Sequence, residues 1–141
     1  MPEFLDLHSK TAKALRAAAE VAVGRHGLRL GHDHLLAALW ERDGRTPGEI
    51  AAAVNVSTPA VTKVAAKLAD SGLVVRRGDD HDNRLVRLWL TDAGRALREP
   101  VEAARRSLED AVTADLTEAE RAHLLSALAK IHRAASELAG E

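Results

Sequence analysis

The chain contains no cysteine, which excludes disulfides, thiolate metal sites and a thiol redox switch. Aromatic residues make up only 2%: Phe4, Trp40 and Trp89. The core must therefore be built from Leu, Val and Ala, a composition that suits close-packed helices. No apolar run approaches the length of a membrane span, and Glu3 and Asp6 interrupt the start before any apolar stretch. The expectation is a protein without a secretion signal or membrane contact, working in a reducing, cytoplasmic compartment. Charge of a single sign is also lacking. Twenty basic residues face 21 acidic ones, for a net of −1, which argues against a non-specific nucleic-acid binder. The distribution is less even: residues 46–98 carry eight basic and six acidic side chains, residues 99–141 five and nine.

A length of 141 residues suits one domain or one subunit of an oligomer. Leu5, Ala12, Leu15, Ala19 and Ala22 recur at helical spacing and predict a first helix from Glu3 to Gly24. A second is expected over Gly31–Asp43, stopped by Gly44. Thr46, Pro47 and Glu49 give a third helix a cap, a first-turn proline and a capping box. Asn55-Val56 reads as a turn. Ser57 caps a fourth helix that runs to Ser71, with Gly72 as its stop. Val74–Arg77 and Arg84–Leu90 read as strands around a polar loop, with Val86, Leu88 and Leu90 facing in. Trp89 falls where alternation points outward; it either packs on a neighbouring element or is a plain edge-strand aromatic, and the plain reading is preferred. Thr91 caps a fifth helix striped by Ala93, Leu97, Val101, Ala104 and Leu108. Pro100 inside that stripe predicts a kink or a slipped boundary. Thr117 and Glu120 form another capping box. Leu124, Leu128, Ile131, Ala135 and Leu138 then make a heptad seam in a sixth helix.

The fold expected is mainly α with a small β-hairpin wing: a winged helix-turn-helix on a helical dimerisation base. Residues 1–30 form an N-terminal dimerisation helix, 31–91 the DNA-binding domain and 92–141 the C-terminal dimerisation helices. The winged module is too small to cover three striped helices from the chain ends, so a two-fold homodimer is expected.

A helix-turn-helix places the start of its second helix in the major groove. Here that start is Ser57, Thr58, Pro59, Ala60, Thr62 and Lys63, small and hydroxylic residues that can hydrogen-bond base edges or touch thymine methyls. Lys67 lies one turn beyond Lys63 and reaches bases or phosphates. Val64 and Leu68 fall where the helix must pack. In the hairpin, Arg76 and Arg77 sit at the base and Arg84 and Arg87 on the returning strand. Arginine forks suit phosphate and the narrow minor groove. Asp79, Asp80 and Asp82 would repel phosphate unless they orient the arginines, and Asp82 stands two residues from Arg84. The Asp80-x-Asp82 spacing does not continue as a calcium loop, lacking the glycine and glutamate such a loop needs.

The run STPAVTKVAAKLADSGLVVRR, followed by DHDNRLVRLWLTDAGRAL, resembles the MarR family of winged-helix transcriptional regulators. The resemblance covers the whole chain. Its most specific elements are Asp82-x-Arg84, Leu90-Thr91 and Ser71-Gly72-Leu73-Val74. It implies that Arg84 enters the minor groove braced by Asp82, and that Ser57 to Lys63 read the major groove. It also implies an obligate homodimer on a pseudo-palindrome of double-stranded DNA, usually a repressor relieved by a small ligand. Such ligands commonly bind between the winged domain and the helical base. Arg16, His26, Trp40 and His8 are candidates to line that pocket, and a cationic Arg16 beside apolar walls suits a small aromatic or phenolic effector.

Gly31-His32-Asp33-His34 departs from the common start of the second helix. These side chains fan out around a helix and cannot easily share one ion, so no metal and no cofactor are expected. Two rival readings remain. A winged fold serving protein interaction without DNA binding is permitted by the near-neutral charge but opposed by the four hairpin arginines. An enzyme is not expected, because no nucleophile-base pair, phosphate-cradling glycine loop or complete metal set is present.

Overall fold

The computed structural model describes residues 2–140. Two compact units divide inside the sixth helix, after Arg106. In the first, α1 (Glu3–Gly24) is followed by α2 (His32–Glu41), α3 (Pro47–Val54) and α4 (Thr58–Asp70). The hairpin β1 (Val74–Gly78) and β2 (Val86–Leu90) comes next, then the single turn α5 (Asp92–Ala96) and α6 (Arg98–Val112). The second unit contains the end of α6 and α7 (Glu118–Leu138).

Local signals set the helix-turn-helix. Thr46 Oγ1 accepts the Glu49 N–H at 3.1 Å while Glu49 Oε1 accepts the Thr46 N–H at 3.3 Å, so the capping box is closed. Asn55 ends α3 in the left-handed region at φ 57°, a conformation asparagine tolerates better than most residues. Ser57 then caps α4 through the Ala60 N–H at 3.3 Å. Val61, Ala65 and Leu68 recur on one side of α4 and are buried; Val64 packs against them. They join Leu35, Leu36, Leu39, Ile50, Val74, Leu88 and Leu90 in one core. That core crosses both boundaries expected from the sequence, taking Val23 and Leu28 from before residue 31 and Val101 from after residue 91.

The hairpin is antiparallel and pairs Val74 with Leu90, Arg76 with Leu88 and Arg77 with Arg87. Opposed residues share a face, so Val74, Leu88 and Leu90 turn inward while Arg77, Arg87 and Trp89 share the outer side. Leu88 also donates its N–H to the Arg45 carbonyl at 2.9 Å, so one residue of the α2–α3 turn extends the sheet.

The start of the second strand and the reading of Trp89 change in detail, and the break expected near Pro100 is found. The second strand begins at Val86 rather than Arg84. The Arg84 N–H goes to the Asp82 carboxylate and the Leu85 N–H to the Asp82 carbonyl, so both serve the loop and not the ladder. The fifth helix is broken in two at Leu97. Pro100 has no N–H to offer the Ala96 carbonyl, and helical bonding resumes with Val101 N–H to Leu97 O at 3.1 Å. Trp89 is not a plain edge aromatic. Its indole packs on Gly44, where a Cβ would collide with the ring and where φ is +73°.

Glycine is needed a second time at Gly94. A Cβ there would strike the Leu73 carbonyl, so only glycine lets α5 approach this closely. The Thr91 hydroxyl donates to Gly72 O at 2.7 Å and accepts the Gly94 N–H at 3.1 Å. Gly94 O in turn accepts the Trp40 indole N–H at 2.9 Å. The Ser71–Val74 and Leu90–Thr91 segments are thereby clasped to each other and to the core.

Candidate nucleic-acid interface

The leading face of α4 is open. Ser57, Thr58, Pro59, Ala60, Thr62, Lys63 and Lys67 are all exposed, opposite the buried Val61, Ala65 and Leu68. Two of the hydroxyls already serve the helix. Ser57 Oγ caps it, and Thr62 Oγ1 donates to Thr58 O at 3.1 Å. They keep lone pairs and a methyl for a base edge, whereas the Thr58 hydroxyl makes no protein hydrogen bond among the described residues.

Asp79 organises the wing loop. Its Oδ2 accepts the N–H groups of His81 at 2.9 Å and Asp82 at 2.8 Å, and its own N–H donates to Leu85 O at 2.9 Å. Asp82 then holds Arg84 as a fork, with Nε on Oδ1 at 3.1 Å and Nη2 on Oδ2 at 3.2 Å. The Arg84 side chain is nevertheless 89% exposed. Its guanidinium is fixed in direction yet open to solvent, with Arg76 and Arg77 exposed on the facing strand.

Arg87 differs from the other hairpin arginines. Its side chain is only 31% exposed. Nε donates to Asp79 Oδ1 at 2.7 Å and Nη1 to Gly44 O at 2.9 Å, with Glu49 Oε1 at 3.4 Å from the same nitrogen. Nε and Nη1 are thus committed to protein partners, although the side chain lies on the outer face with Arg77 and Trp89. Glu49 also meets Arg42 at 2.6 Å.

The wing carboxylates are held ionised. The Arg87 hydrogen bond, followed by the His81 N–H, keeps Asp79 below the usual carboxylate range. The Arg84 side chain does the same for Asp82. Glu49 is lowered first by the Thr46 N–H it accepts. Asp79 raises the pKa of Arg87 in return.

The other candidates lie apart. Arg16 is exposed on α1, as is His8, whose ring stacks obliquely on Phe4 with centroids 5.8 Å apart. His26 is half-buried in the turn after α1. Trp40 belongs to the core, with its one polar atom committed to Gly94. A groove of about 570 Å³ on the outer face of the wing is lined instead by Arg42, Glu49, Arg77, Asp79, Arg87 and Trp89 among others. In the histidine cluster, Asp33 is buried and accepts from Gly31 N–H at 3.1 Å and Arg105 Nη1 at 3.4 Å. Among the described residues no three His, Asp or Glu side chains are placed to hold a metal.

A capped helix pair, a recognition helix with a small open face and a hairpin presenting a braced arginine define a winged helix-turn-helix protein. The sequence profile of the MarR family matches residues 30–86. The HTH-type transcriptional repressor Rv2887 of Mycobacterium tuberculosis is 30% identical over 122 residues, 86% of this chain and 88% of that protein. The chain belongs to the MarR family of transcriptional regulators. YdgJ of Bacillus subtilis, an HTH-type transcriptional regulator, is 29% identical over 105 residues; the match spans 74% of this chain and 64% of that one, just under two thirds of its length. The fold is that of MepR of S. aureus, solved as a DNA complex, with a TM-score of 0.85 at 22% identity over 93% of this chain and 97% of that one. Kinship with named transcriptional regulators favours the regulator reading over the interaction module.

Proposed function

We propose that this chain is a repressor that binds a pseudo-palindromic duplex as a homodimer. Each α4 enters a major groove and each wing lays Arg84 into the flanking minor groove. Two-fold readers of this kind place their half-sites about 34–36 Å apart. The observation that carries the reading is Arg84: highly exposed, yet locked in a two-point fork by Asp82. An arginine held in direction before binding loses less freedom on meeting phosphate or a minor groove. The exposed face of α4 and the lysines Lys63 and Lys67 support the same placement.

A cytoplasmic location is part of this proposal, because a regulator of this kind works where the DNA is; no helix among the described residues is long and apolar enough to cross a membrane. Release by a small aromatic or phenolic effector belongs to the same proposal. Titrating such acids against the operator complex tests it, and a complex that no member of the panel weakens rejects it.

The central test is a gel shift on the DNA upstream of the chain's own gene against a scrambled duplex, near physiological salt. Selective retention is expected. Arg84→Ala should weaken operator binding about ten- to hundredfold with an unchanged melting temperature. Undiminished affinity would reject the wing assignment.

A further inference from the structure

We propose that Arg87 is a positioning residue that sets the wing relative to the helix-turn-helix, acting through Asp79 on Arg84 without itself touching the duplex. The inference rests on the DNA-binding reading above and deepens it.

Arg87 joins three parts of the winged unit. Through Nη1 it reaches the Gly44 carbonyl in the turn before α3, and Glu49 in the α3 capping box. Through Nε it reaches Asp79 at the start of the wing loop. Asp79 passes the constraint on, because its second oxygen holds the backbone of His81 and Asp82. Asp82 then fixes Arg84 by side chain and backbone alike. A run of charge-assisted hydrogen bonds, passing from Asp79 to Asp82 through the Asp82 N–H, thus links Glu49, at the head of the helix-turn-helix, to the arginine at the wing. Bonds in which at least one partner is charged are the shorter and stronger kind.

The same geometry argues against direct contact. Nε and Nη1 are occupied, and only Nη2 makes no protein hydrogen bond among the described residues. Arg77 lies directly across the hairpin from Arg87, a pairing of like charges that costs stability when uncompensated. Asp79 and Glu49 supply the compensation for Arg87, whereas Arg77 has no ion-pair partner among the described residues. The Trp89 indole, on the same face of β2, packs on Gly44 as well. Arg87 and Trp89 therefore both anchor β2 to that turn at the root of the wing.

The test is a double-mutant cycle read by operator affinity across a series of salt concentrations. Arg87→Gln should weaken operator binding about tenfold while lowering the slope of log K against log salt by no more than Arg84→Ala does. In the Arg87→Gln background, Arg84→Ala should cost much less than in the parent, because the fork is already displaced. Lys63→Ala, on α4, should cost the same in both backgrounds. Asp79→Asn keeps an acceptor for the loop N–H groups and loses the charge on Arg87; it should reproduce the Arg87→Gln effect and add little to it.

A slope reduced in Arg87→Gln by about one more than in Arg84→Ala would show a phosphate contact by Arg87 itself and overturn the proposal. So would additive losses for Arg87 and Arg84, or unchanged affinity in both Arg87→Gln and Asp79→Asn. A matching loss of coupling to Lys63 would show general disruption of the fold and equally reject the positioning role. If the parent protein itself fails to select any duplex, the DNA-binding reading falls first; if it selects one and the cycle is additive, only the role of Arg87 falls.

Discussion

Residues 2–106 and 107–140 are built from similar apolar side chains but treat them differently. The first unit contains every member of the buried core, and Leu36, Ile50, Leu88 and Val101 are fully covered. In the second, no residue is buried, and Leu124, Leu125, Leu128, Ile131 and Leu138 are exposed. Yet the second unit is locally well specified. Thr117 and Glu120 close a capping box, and Arg121 ties α7 to Glu109 at 2.9 Å and Thr113 at 3.0 Å. Capping and ion pairs thus suffice to define a helix without giving it a core. A 4-3-4-3 seam left open along such a helix is what a second copy would cover, in keeping with the homodimer proposed above. The exposed Phe4, Leu5, Leu7, Leu15 and Val21 of α1 carry the same signature.

The largest effect is expected from breaking that seam. Leu128→Asp with Ile131→Asp should raise the dimer dissociation constant about a thousandfold or more, since central apolar anchors dominate such interfaces. Sedimentation would show a monomer, and the winged unit should still melt cooperatively on its own core. A dimer that survives both substitutions would place the interface elsewhere.

A smaller loss should follow inside the first unit. Leu36→Ala removes a fully buried side chain and should cost about 2–5 kcal/mol. Leu124→Ala, in the monomeric background, should change stability by no more than about 0.5 kcal/mol. Urea unfolding of both variants compares the units directly. Equal losses would mean that α7 has a covered core after all.

What the sequence disclosed follows the same division between local and distant causes. The starts of α3, α4, α5 and α7 were legible because each is set by residues within one turn, such as Thr46 with Glu49. The Asp82–Arg84 fork was legible for the same reason, being two residues long. The commitments of Arg87 are not legible in the sequence, because its partners are eight, 38 and 43 residues away. Nothing near Trp40 in sequence announces Gly94, 54 residues on, as the acceptor of its N–H. The element on which Trp89 packs is not legible either, because the Gly44 turn beneath it is equally remote. One signal was available and unused: a glycine in the first turn of a capped helix, Gly94, marks a close approach that the Thr91 cap alone does not require.

Gly94→Ala sharpens that point with an intermediate effect. The added methyl meets backbone, the Leu73 carbonyl, which cannot swing aside like a side chain. A loss of about 1–3 kcal/mol is expected, read as a lower urea midpoint. Gly24→Ala is the internal control, because a Cβ there meets nothing and replacing glycine within a helix is favourable by up to about 1 kcal/mol. If both substitutions behaved alike, steric closure of α5 on the hairpin would not be what Gly94 provides.

The smallest effect separates the units by pH. His32, half-buried at the head of α2, has its pKa lowered from 6.5 by burial first and then by Lys67 and Arg29. Its folded pKa thus lies below its unfolded one, so the unfolded chain binds more protons in the interval between them. Stability then rises with pH across that interval. The contribution is complete well above 6.5, declines as the pH falls through the unfolded value, and levels off below the folded one. His32→Gln should remove this part of the acid loss between pH 7.5 and 5.5, leaving the wing carboxylates ionised throughout because their pKa values are lowered. Urea midpoints of parent and variant at three pH values give the comparison. A variant that loses stability on acidification as steeply as the parent would place the proton uptake on another group and leave the Lys67–Arg29 field without a consequence for folding.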